Sequence, residues 1–133
     1  MADKRTKRFD EGMATRRKVL GDDHVDRAEL AKTAFDAPFQ TLITEAAWGT
    51  VWSGDAVSPR ERSMMTIALL AGLGHDEEVA MHIRATQNTG ASRDDVREAL
   101  MHVALYAGVP AANRAFKIAK RVFAEIDNEA DDV

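Results

Sequence analysis

An acid and a histidine stand one helical turn apart near the middle of the chain, at Glu78 and His82. Residues four apart share one face of a helix, and a carboxylate beside an imidazole orients the ring and favours its protonated form. Such a pair suits proton transfer near neutral pH. It is also the pattern of a plain surface pair that contributes about 0.2–0.5 kcal/mol. The spacing alone leaves a catalytic and a structural interpretation open.

An arginine, Arg62, occupies the start of a predicted helix that is apolar nearly all round. Such a helix is expected at the centre of a fold. If Arg62 faces inward, its guanidinium must meet a carboxylate, because burying it unpaired is costly. Glu61 and Glu78 are candidate partners within the chain, and an anionic ligand is the alternative. Arg62 is therefore a candidate anion-binding residue.

A metal site has weaker support. His75, Glu78 and His82 are a conceivable set of ligands. A zinc-protease helix, however, needs two histidines four residues apart with a glutamate directly after the first. The residue four before His82 is Glu78, so that pattern is absent and no metal is predicted.

Two aromatic pairs also have suggestive spacing. Trp48 and Trp52 flank Gly49–Val51, a stretch without helical period. Tryptophans beside a loop can line an apolar pocket with a polar edge, or they can pack in a core. His102 and Tyr106 are four apart on a later predicted helix, and we expect them to form a hydrogen-bonded core pair.

The composition is that of an ordinary folded domain, and it excludes several functions. The 133 residues are 45% hydrophobic and 30% charged, which predicts one domain over residues 1–133. The net charge of −4 argues against binding to a nucleic-acid backbone. The chain has no cysteine, which excludes disulfides, thiolate–metal sites and cysteine nucleophiles.

Nothing in the sequence indicates a membrane or an export signal. The longest apolar run, Ile67 to Leu73, is far shorter than the roughly 18–20 residues of a membrane span. The chain is charged from Asp3 to Arg8 with no apolar stretch behind, unlike a secretory signal. A cytoplasmic location is expected. The charged ends, residues 1–8 and 127–133, are expected to be solvated.

Helical signals recur along the whole chain. No segment alternates apolar and polar residues with strand period, so the predicted class is all-α with six or seven helices. Residues 49–57 are predicted to be a loop, and the helix after it is expected to run from Pro59 to about Ala71. The other helix starts are placed at Pro38, Asp76, Ser92 and Pro110, and the ends at Gly21, Gly72–Gly74, Gly90 and Gly108.

Several motifs occur in a fixed order between about Phe9 and Val122. They are Trp48-Gly49-Thr50-Val51-Trp52, Arg60-Glu61-Arg62-Ser63, Glu78-x-x-x-His82-x-Arg84, Gly90 and the segment from Tyr106 to Asn113. Together they resemble the 4-carboxymuconolactone decarboxylase family. The segment from Gly21 to Val25 is similar to that family's Leu-Gly-Asp segment.

The resemblance implies an alkylhydroperoxidase-like helical subunit that assembles into trimers or hexamers. The peroxidase branch of that fold carries Cys-x-x-Cys-x-x-x-His, and its two cysteine positions fall here on His75 and Glu78. The implied scaffold is therefore retained without thiol peroxidase activity.

The implied activity is decarboxylation of 4-carboxymuconolactone to 3-oxoadipate enol-lactone, in the protocatechuate branch of the β-ketoadipate pathway of aromatic catabolism. The lactone accepts the electrons that carbon dioxide leaves behind, so the resemblance implies no cofactor and no metal. The implied partners are a small lactone carboxylate and further copies of the chain, without nucleic acid or membrane. The resemblance assigns proton delivery to His82 with Glu78, and substrate binding to Arg62, Arg84, Trp48, Trp52 and Tyr106.

Two departures from the family pattern bear on the substrate. Many members have Arg-Pro after the second tryptophan, where this chain has Ser53-Gly54, and the residue before the motif glutamate is here Glu77. Two alternatives therefore stay open. One is a non-catalytic helical oligomer that uses the scaffold for binding, and the other is a related lactone- or peroxide-handling enzyme.

Overall fold

The computed structural model describes residues 6–132 of the chain. Within these residues the backbone forms seven α-helices and one π-helix, and no strand, which confirms the predicted all-α class. No helix among them is long and apolar enough to cross a membrane. The elements are α1 (Lys7–Leu20), α2 (Asp22–Ala31), α3 (Ala37–Ile43), the π-helix (Thr44–Val51), α4 (Pro59–Leu73), α5 (Asp76–Thr89), α6 (Arg93–Tyr106) and α7 (Val109–Asp131).

The chain divides into two compact units, Met1–Val57 and Ser58–Val133, called unit 1 and unit 2 below. Unit 1 contains α1 to α3 and the π-helix, and unit 2 contains α4 to α7. The expectation of a single domain over residues 1–133 stays a prediction. Most of the predicted solvated arm at residues 1–8 lies outside the described residues.

Unit 1 depends on a close approach of α1 to the π-helix at two glycines. A β-carbon on Gly12 would lie 2.1 Å from the carbonyl oxygen of Thr44 and 2.8 Å from the amide nitrogen of Gly49. A β-carbon on Gly49 would lie 2.3 Å from the carbonyl oxygen of Arg8. These distances leave no room for a side chain at either position, so glycine is required there for the two helices to meet.

The predicted loop over residues 49–57 is wrong for its first three residues. Gly49–Val51 complete the π-helix, and the amide of Trp52 donates to the carbonyl oxygen of Ala47, five residues earlier, at 2.8 Å. A π-helical turn holds more residues than an α-helical turn. The 3.6-residue period is therefore lost in the sequence although the backbone remains helical. Irregular backbone begins only at Trp52.

Unit 2 is built around α4, as its apolar composition predicts. This helix packs against α5, α6 and α7. Its fully buried Ile67 lies in one core with Ile83, Leu100 and Val122. Another face of α4 is not covered, and it carries the exposed side chains Met65, Leu69 and Leu73.

The boundaries of α4 follow from its caps. The Ser58 hydroxyl accepts from the amide of Glu61 at 3.1 Å, and the Glu61 carboxylate accepts from the amide of Ser58 at 2.9 Å, which is the predicted capping box. The helix ends at Leu73, two residues beyond the predicted Ala71, and Gly74 follows in the left-handed region with φ 79°. Ala71 is the last buried residue of α4, and Gly72 and Leu73 are exposed, so the helix continues past its contact with the core.

A second capping box, at the start of α6, includes an acid that also meets an arginine. Asp95 accepts from the amide of Ser92 at 2.9 Å, and the Arg60 guanidinium donates to both its oxygens, at 2.6 and 2.7 Å. The hydrogen bonds from Arg60, and then those from Ser92, hold the pKa of Asp95 well below its usual range.

We therefore expect Asp95→Asn to lower the melting temperature at pH 7, by an amount that shrinks in acid. A carboxyl whose pKa is depressed by folding adds stability above its unfolded pKa of about 3.9. That contribution is lost as the pH falls from there towards the folded pKa. Melting curves from neutral pH to the acid limit of folding measure the difference. Asp94→Asn, at the adjacent exposed residue, is the control, and a difference between wild type and Asp95→Asn that does not vary with pH would contradict the assignment.

Candidate active site

The predicted proton donor, His82, is a buried side chain of α5, with 6% of its surface exposed. Its neighbours on the same helix, Val79 and Ile83, belong to the core of unit 2. Glu78 lies one turn before His82 and is exposed. The structure therefore places the imidazole inside unit 2 and the glutamate at its surface. The role of Glu78 in keeping the imidazole protonated stays a prediction.

Arg62 is partly buried at the start of α4, next to a fixed point between two helices. The hydroxyl groups of Ser63 and Thr89 lie 2.7 Å apart in a buried hydrogen bond, which joins the start of α4 to the end of α5. Seven residues separate Thr89 from His82, so His82 lies about 10 Å along α5 from this bond. The convergence of Arg62 and His82 on one substrate stays a prediction.

One predicted protein partner of Arg62 has another role. The Glu61 carboxylate accepts from the Ser58 amide in the capping box, and this backbone hydrogen bond is the main cause that lowers the pKa of Glu61. The charge of Arg62 contributes least to that shift. Glu61 thus serves mainly as a helix cap, and the binding of an anionic ligand by Arg62 stays a prediction.

Arg84, the second predicted anion anchor, is joined to the C-terminal helix. Its guanidinium donates to Glu125 at 2.7 Å and to both oxygens of Glu129 at 3.0 Å. Arg93 donates to Asp127 at 2.5 and 3.1 Å. Residues 127–132 are exposed, and ion pairs tie two of them, Asp127 and Glu129, to α6 and α5. Arg84 can hold a substrate only by exchanging these carboxylates for it.

The two tryptophans form a pair in unit 1. Trp48 is buried and Trp52 partly buried, and their ring centroids lie 5.3 Å apart with a 33° angle between planes. The Ser53 hydroxyl donates to the carbonyl oxygen of Trp48 at 2.6 Å and lies 2.7 Å from the hydroxyl of Thr15. These bonds fix the chain where the π-helix ends. The role of the tryptophans in substrate binding stays a prediction.

The expectation of a hydrogen-bonded core pair at His102 and Tyr106 is wrong. Both side chains are exposed, Tyr106 by 84%, and the rings are stacked with centroids 5.7 Å apart. The buried face of α6 is instead formed by Val96, Leu100 and Val103, and positions 102 and 106 fall outside it. Tyr106 can contribute to binding only at the surface of unit 2.

No group of three or more histidine, aspartate or glutamate side chains within residues 6–132 is placed to hold a metal ion. His75 is exposed and is the residue that precedes α5.

Unit 1 has an open cleft of about 410 Å³, but each cation that lines it has carboxylate partners. Arg17 donates to Asp22 and Asp26, and Lys32 donates to Glu29. The cleft therefore offers little to an anionic substrate.

Arg16 is the buried arginine of unit 1, and its spacing to other polar residues in the sequence does not mark it as a candidate site residue. Only 6% of its surface is exposed. Gly12, Arg16 and Val19 are the buried residues of α1 and follow one another at helical spacing. An arginine that shares a face with a glycine and a valine is the signal that could have found it.

Comparison with known proteins places these residues in a family. The sequence profile of the Carboxymuconolactone decarboxylase family matches residues 37–121, which include Arg62, His82 and Arg84. The chain belongs to the carboxymuconolactone decarboxylase family. It is 40% identical over 119 residues to a 4-carboxymuconolactone decarboxylase of Acinetobacter baylyi, an alignment that spans 90% of this chain and 89% of the relative.

Two further proteins that are similar to this chain are also named as decarboxylases. A nitrosuccinic acid decarboxylase of Metarhizium robertsii is 35% identical over 123 residues, which span 92% of this chain and 86% of that protein. A 4-carboxymuconolactone decarboxylase of Pseudomonas putida is 50% identical over 42 residues, which span 32% of this chain and 88% of that sequence. Both names describe loss of carbon dioxide from a small organic acid.

Proposed function

We propose that this chain is a cofactor-independent decarboxylase that converts 4-carboxymuconolactone to 3-oxoadipate enol-lactone, a step in the catabolism of aromatic compounds. The observation that carries the proposal is the 40% identity, over 90% of the chain, to the Acinetobacter decarboxylase of that substrate. The burial of His82 beside the core of unit 2 supports it, because a positioned, water-shielded acid is what the reaction needs.

The proposed reaction balances without a redox partner. The bond between the γ-carbon of the lactone and its carboxylate breaks, and carbon dioxide leaves without the electron pair. That pair forms a new bond to the β-carbon, and the ring double bond shifts to make a dienolate at the lactone carbonyl. One proton then adds to the α-carbon, which gives the enol-lactone. The protein supplies the proton and stabilises the oxyanion.

Each proposed catalytic role is assigned to a group with suitable chemistry. His82 delivers the proton to the α-carbon, and Glu78 on the same helix face supports its charged form. Arg62 binds a substrate carboxylate, since a guanidinium can make two parallel hydrogen bonds to one carboxylate. Arg84 is a further anchor if it exchanges its carboxylates on α7.

A second substrate is suggested by the Metarhizium relative. Nitrosuccinic acid carries a carboxylate and a nitro group on one carbon and an acetate arm beside them. 4-Carboxymuconolactone likewise carries a carboxylate and an acetate arm on one carbon. Both are therefore substituted succinates with a neighbouring group that can accept an electron pair, as a dienolate in one case and a nitronate in the other. The proposed substrate class is a succinate of this kind.

Purified protein incubated separately with 4-carboxymuconolactone and with 2-nitrosuccinate tests the proposal. We expect stoichiometric carbon dioxide and enol-lactone from the first, and slower or no turnover of the second. Faster turnover of nitrosuccinate would transfer the proposal to that acid. No carbon dioxide from either compound would refute the decarboxylase proposal.

Activity is expected to survive exhaustive dialysis against EDTA. The substrate contains its own electron acceptor, so the proposed chemistry requires no metal or organic cofactor. Turnover before and after dialysis, with and without added Mg²⁺, Mn²⁺ or Zn²⁺, measures this. Loss of activity on dialysis and its recovery with one of these metals would contradict the proposed mechanism.

We also propose that the chain self-associates through the uncovered face of α4. Leu69 and Leu73 are 65% and 69% exposed on this helix, with Met65 one turn before Leu69. A contiguous exposed apolar face on a small domain is typical of a subunit interface. Light scattering is expected to give a multiple of 14.6 kDa that Leu69→Glu reduces. Leu30→Glu, at an exposed leucine of unit 1, is the control, and a monomeric wild type would contradict the proposal.

A further inference from the structure

Unit 1 buries a guanidinium that has little to bond with. Arg16 is 6% exposed, and its Nε atom is buried without a hydrogen-bond partner among the described residues. Its Nη1 donates to the side-chain oxygen of Gln40 at 3.3 Å, a long bond to a neutral amide. A guanidinium stays protonated in proteins, so Arg16 cannot avoid the penalty of burial by losing its charge.

Three acids of unit 1 are already paired with other cations. Glu29 is the acid whose charge acts on Arg16, and Lys32 donates to it at 2.9 Å. Asp22 and Asp26 accept from Arg17 at 3.1 and 2.9 Å. Burial accordingly lowers the pKa of Arg16, and Glu29 opposes this only in part. The buried charge thus lacks a carboxylate bonded to it.

A histidine lies within electrostatic range of the same guanidinium. His24, on α2, is partly buried, and its pKa is lowered first by burial and then by the charges of Arg27 and Arg16. An anion beside Arg16 would act on His24 in the opposite sense. Arg16 on α1 and Gln40 on α3 bring side-chain donors from two helices to one place.

We propose that Arg16, with Gln40, forms a carboxylate-binding site in unit 1, and that its ligand is the carboxylate of a small organic acid. A carboxylate matches the two-pronged donor geometry of a guanidinium and supplies the missing negative charge. A carboxylate bound to Arg16 would replace the 3.3 Å bond to the Gln40 amide.

A carboxylate-binding site gives a reason for the buried position of the Arg16 guanidinium. Replacing a buried charge by an apolar residue of similar size is often neutral or stabilising. A purely structural Arg16 would instead stabilise the unliganded protein. The melting temperature of Arg16→Met without ligand therefore separates the two roles, because the proposed site predicts no decrease.

Succinate, which is the skeleton shared by both candidate substrates, is the probe. Calorimetric titration up to about 100 mM at constant ionic strength is compared for wild type, Arg16→Met, Arg16→Lys and Arg27→Met. We expect saturable binding to wild type, at least about tenfold weaker binding to Arg16→Met, and an intermediate loss for Arg16→Lys. Arg27→Met removes an equal charge from an exposed position and is expected to bind within about twofold of wild type. The Arg16 Nε–H resonance, assigned by its loss in Arg16→Lys, is expected to shift with succinate.

The outcomes separate this inference from the proposed function. If wild type turns over the lactone while Arg16→Met has unchanged succinate affinity, the inference is overturned and the decarboxylase stands. If wild type releases no carbon dioxide but succinate binding depends on Arg16, the decarboxylase proposal fails and the carboxylate site stands. Absence of succinate binding to wild type, or a lower melting temperature of unliganded Arg16→Met, would overturn the site.

Discussion

Replacing His82 with alanine is expected to lower kcat by about 10²–10⁴-fold, with a smaller change in KM. In the proposed reaction the imidazole delivers a proton to the dienolate carbon, an interaction that exists only after carbon dioxide has begun to leave. Its removal should therefore slow turnover more than it weakens binding. Steady-state kinetics with 4-carboxymuconolactone, together with circular dichroism to show that the variant is folded, measure the effect.

His102→Gln is the matched control, because it removes the imidazole of an exposed histidine in the same unit. We expect its kcat to stay within about tenfold of wild type, below the loss typical of a positioned proton donor. Arg62→Lys is expected to raise KM more than it lowers kcat, since lysine keeps the charge but not the two-pronged geometry. Near wild-type turnover by His82→Ala, with an inactive but folded His102→Gln, would place the acid on α6 instead of α5.

Replacing Gly12 with alanine is expected to destabilise unit 1 by about 3 kcal/mol, the upper part of the usual range for overpacking. The added β-carbon would lie 2.1 Å from the carbonyl oxygen of Thr44, a backbone atom that cannot rotate away. The clash must separate α1 from the π-helix. Thermal and denaturant unfolding followed by tryptophan fluorescence report on this region, since Trp48 lies in the π-helix.

Gly72→Ala gives a control of opposite expected sign. A β-carbon at Gly72 would meet only the β-carbon of Ala107, at the ordinary contact distance of 3.4 Å. Alanine in a helix interior is favoured over glycine by about 0.5–1 kcal/mol. The variant should therefore melt at the wild-type temperature or above it. Equal stability of Gly12→Ala and wild type would show that the two helices are not in the described contact.

The helical class and most helix ends could be predicted because they depend on local chemistry. Ser58 and Glu61 lie three apart with Pro59 between them, and that pattern produces a capping box in almost any context. Gly90 similarly ends α5 in the left-handed region, with φ 87°. The π-helix was missed because its period differs from 3.6 residues, and because the packing of Gly49 on α1 involves residues far apart in sequence.

The candidate site was only partly accessible from spacing. The four-residue interval between Glu78 and His82 predicted that both lie on one helix. It did not predict that His82 is buried and Glu78 is exposed. The same interval at His102 and Tyr106 suggested a core pair, where α6 in fact presents both to solvent. Spacing fixes which residues share a face, and only tertiary packing decides which face is covered. The carboxylates on Arg84 come from α7, more than 40 positions away.

The most direct test of the role of His82 is the reaction of 4-carboxymuconolactone in D₂O, followed by NMR of the enol-lactone in a chiral aligning medium. The product has no stereocentre, and such a medium distinguishes the two enantiotopic hydrogens of its α-carbon. If a fixed imidazole delivers the proton, wild type should place one deuterium on a single face of the α-carbon for each carbon dioxide released. His82→Ala should give slow turnover with deuterium on both faces. Deuterium on both faces in the wild-type product, at full rate of carbon dioxide release, would show that the dienolate is protonated by solvent and would contradict the role of His82.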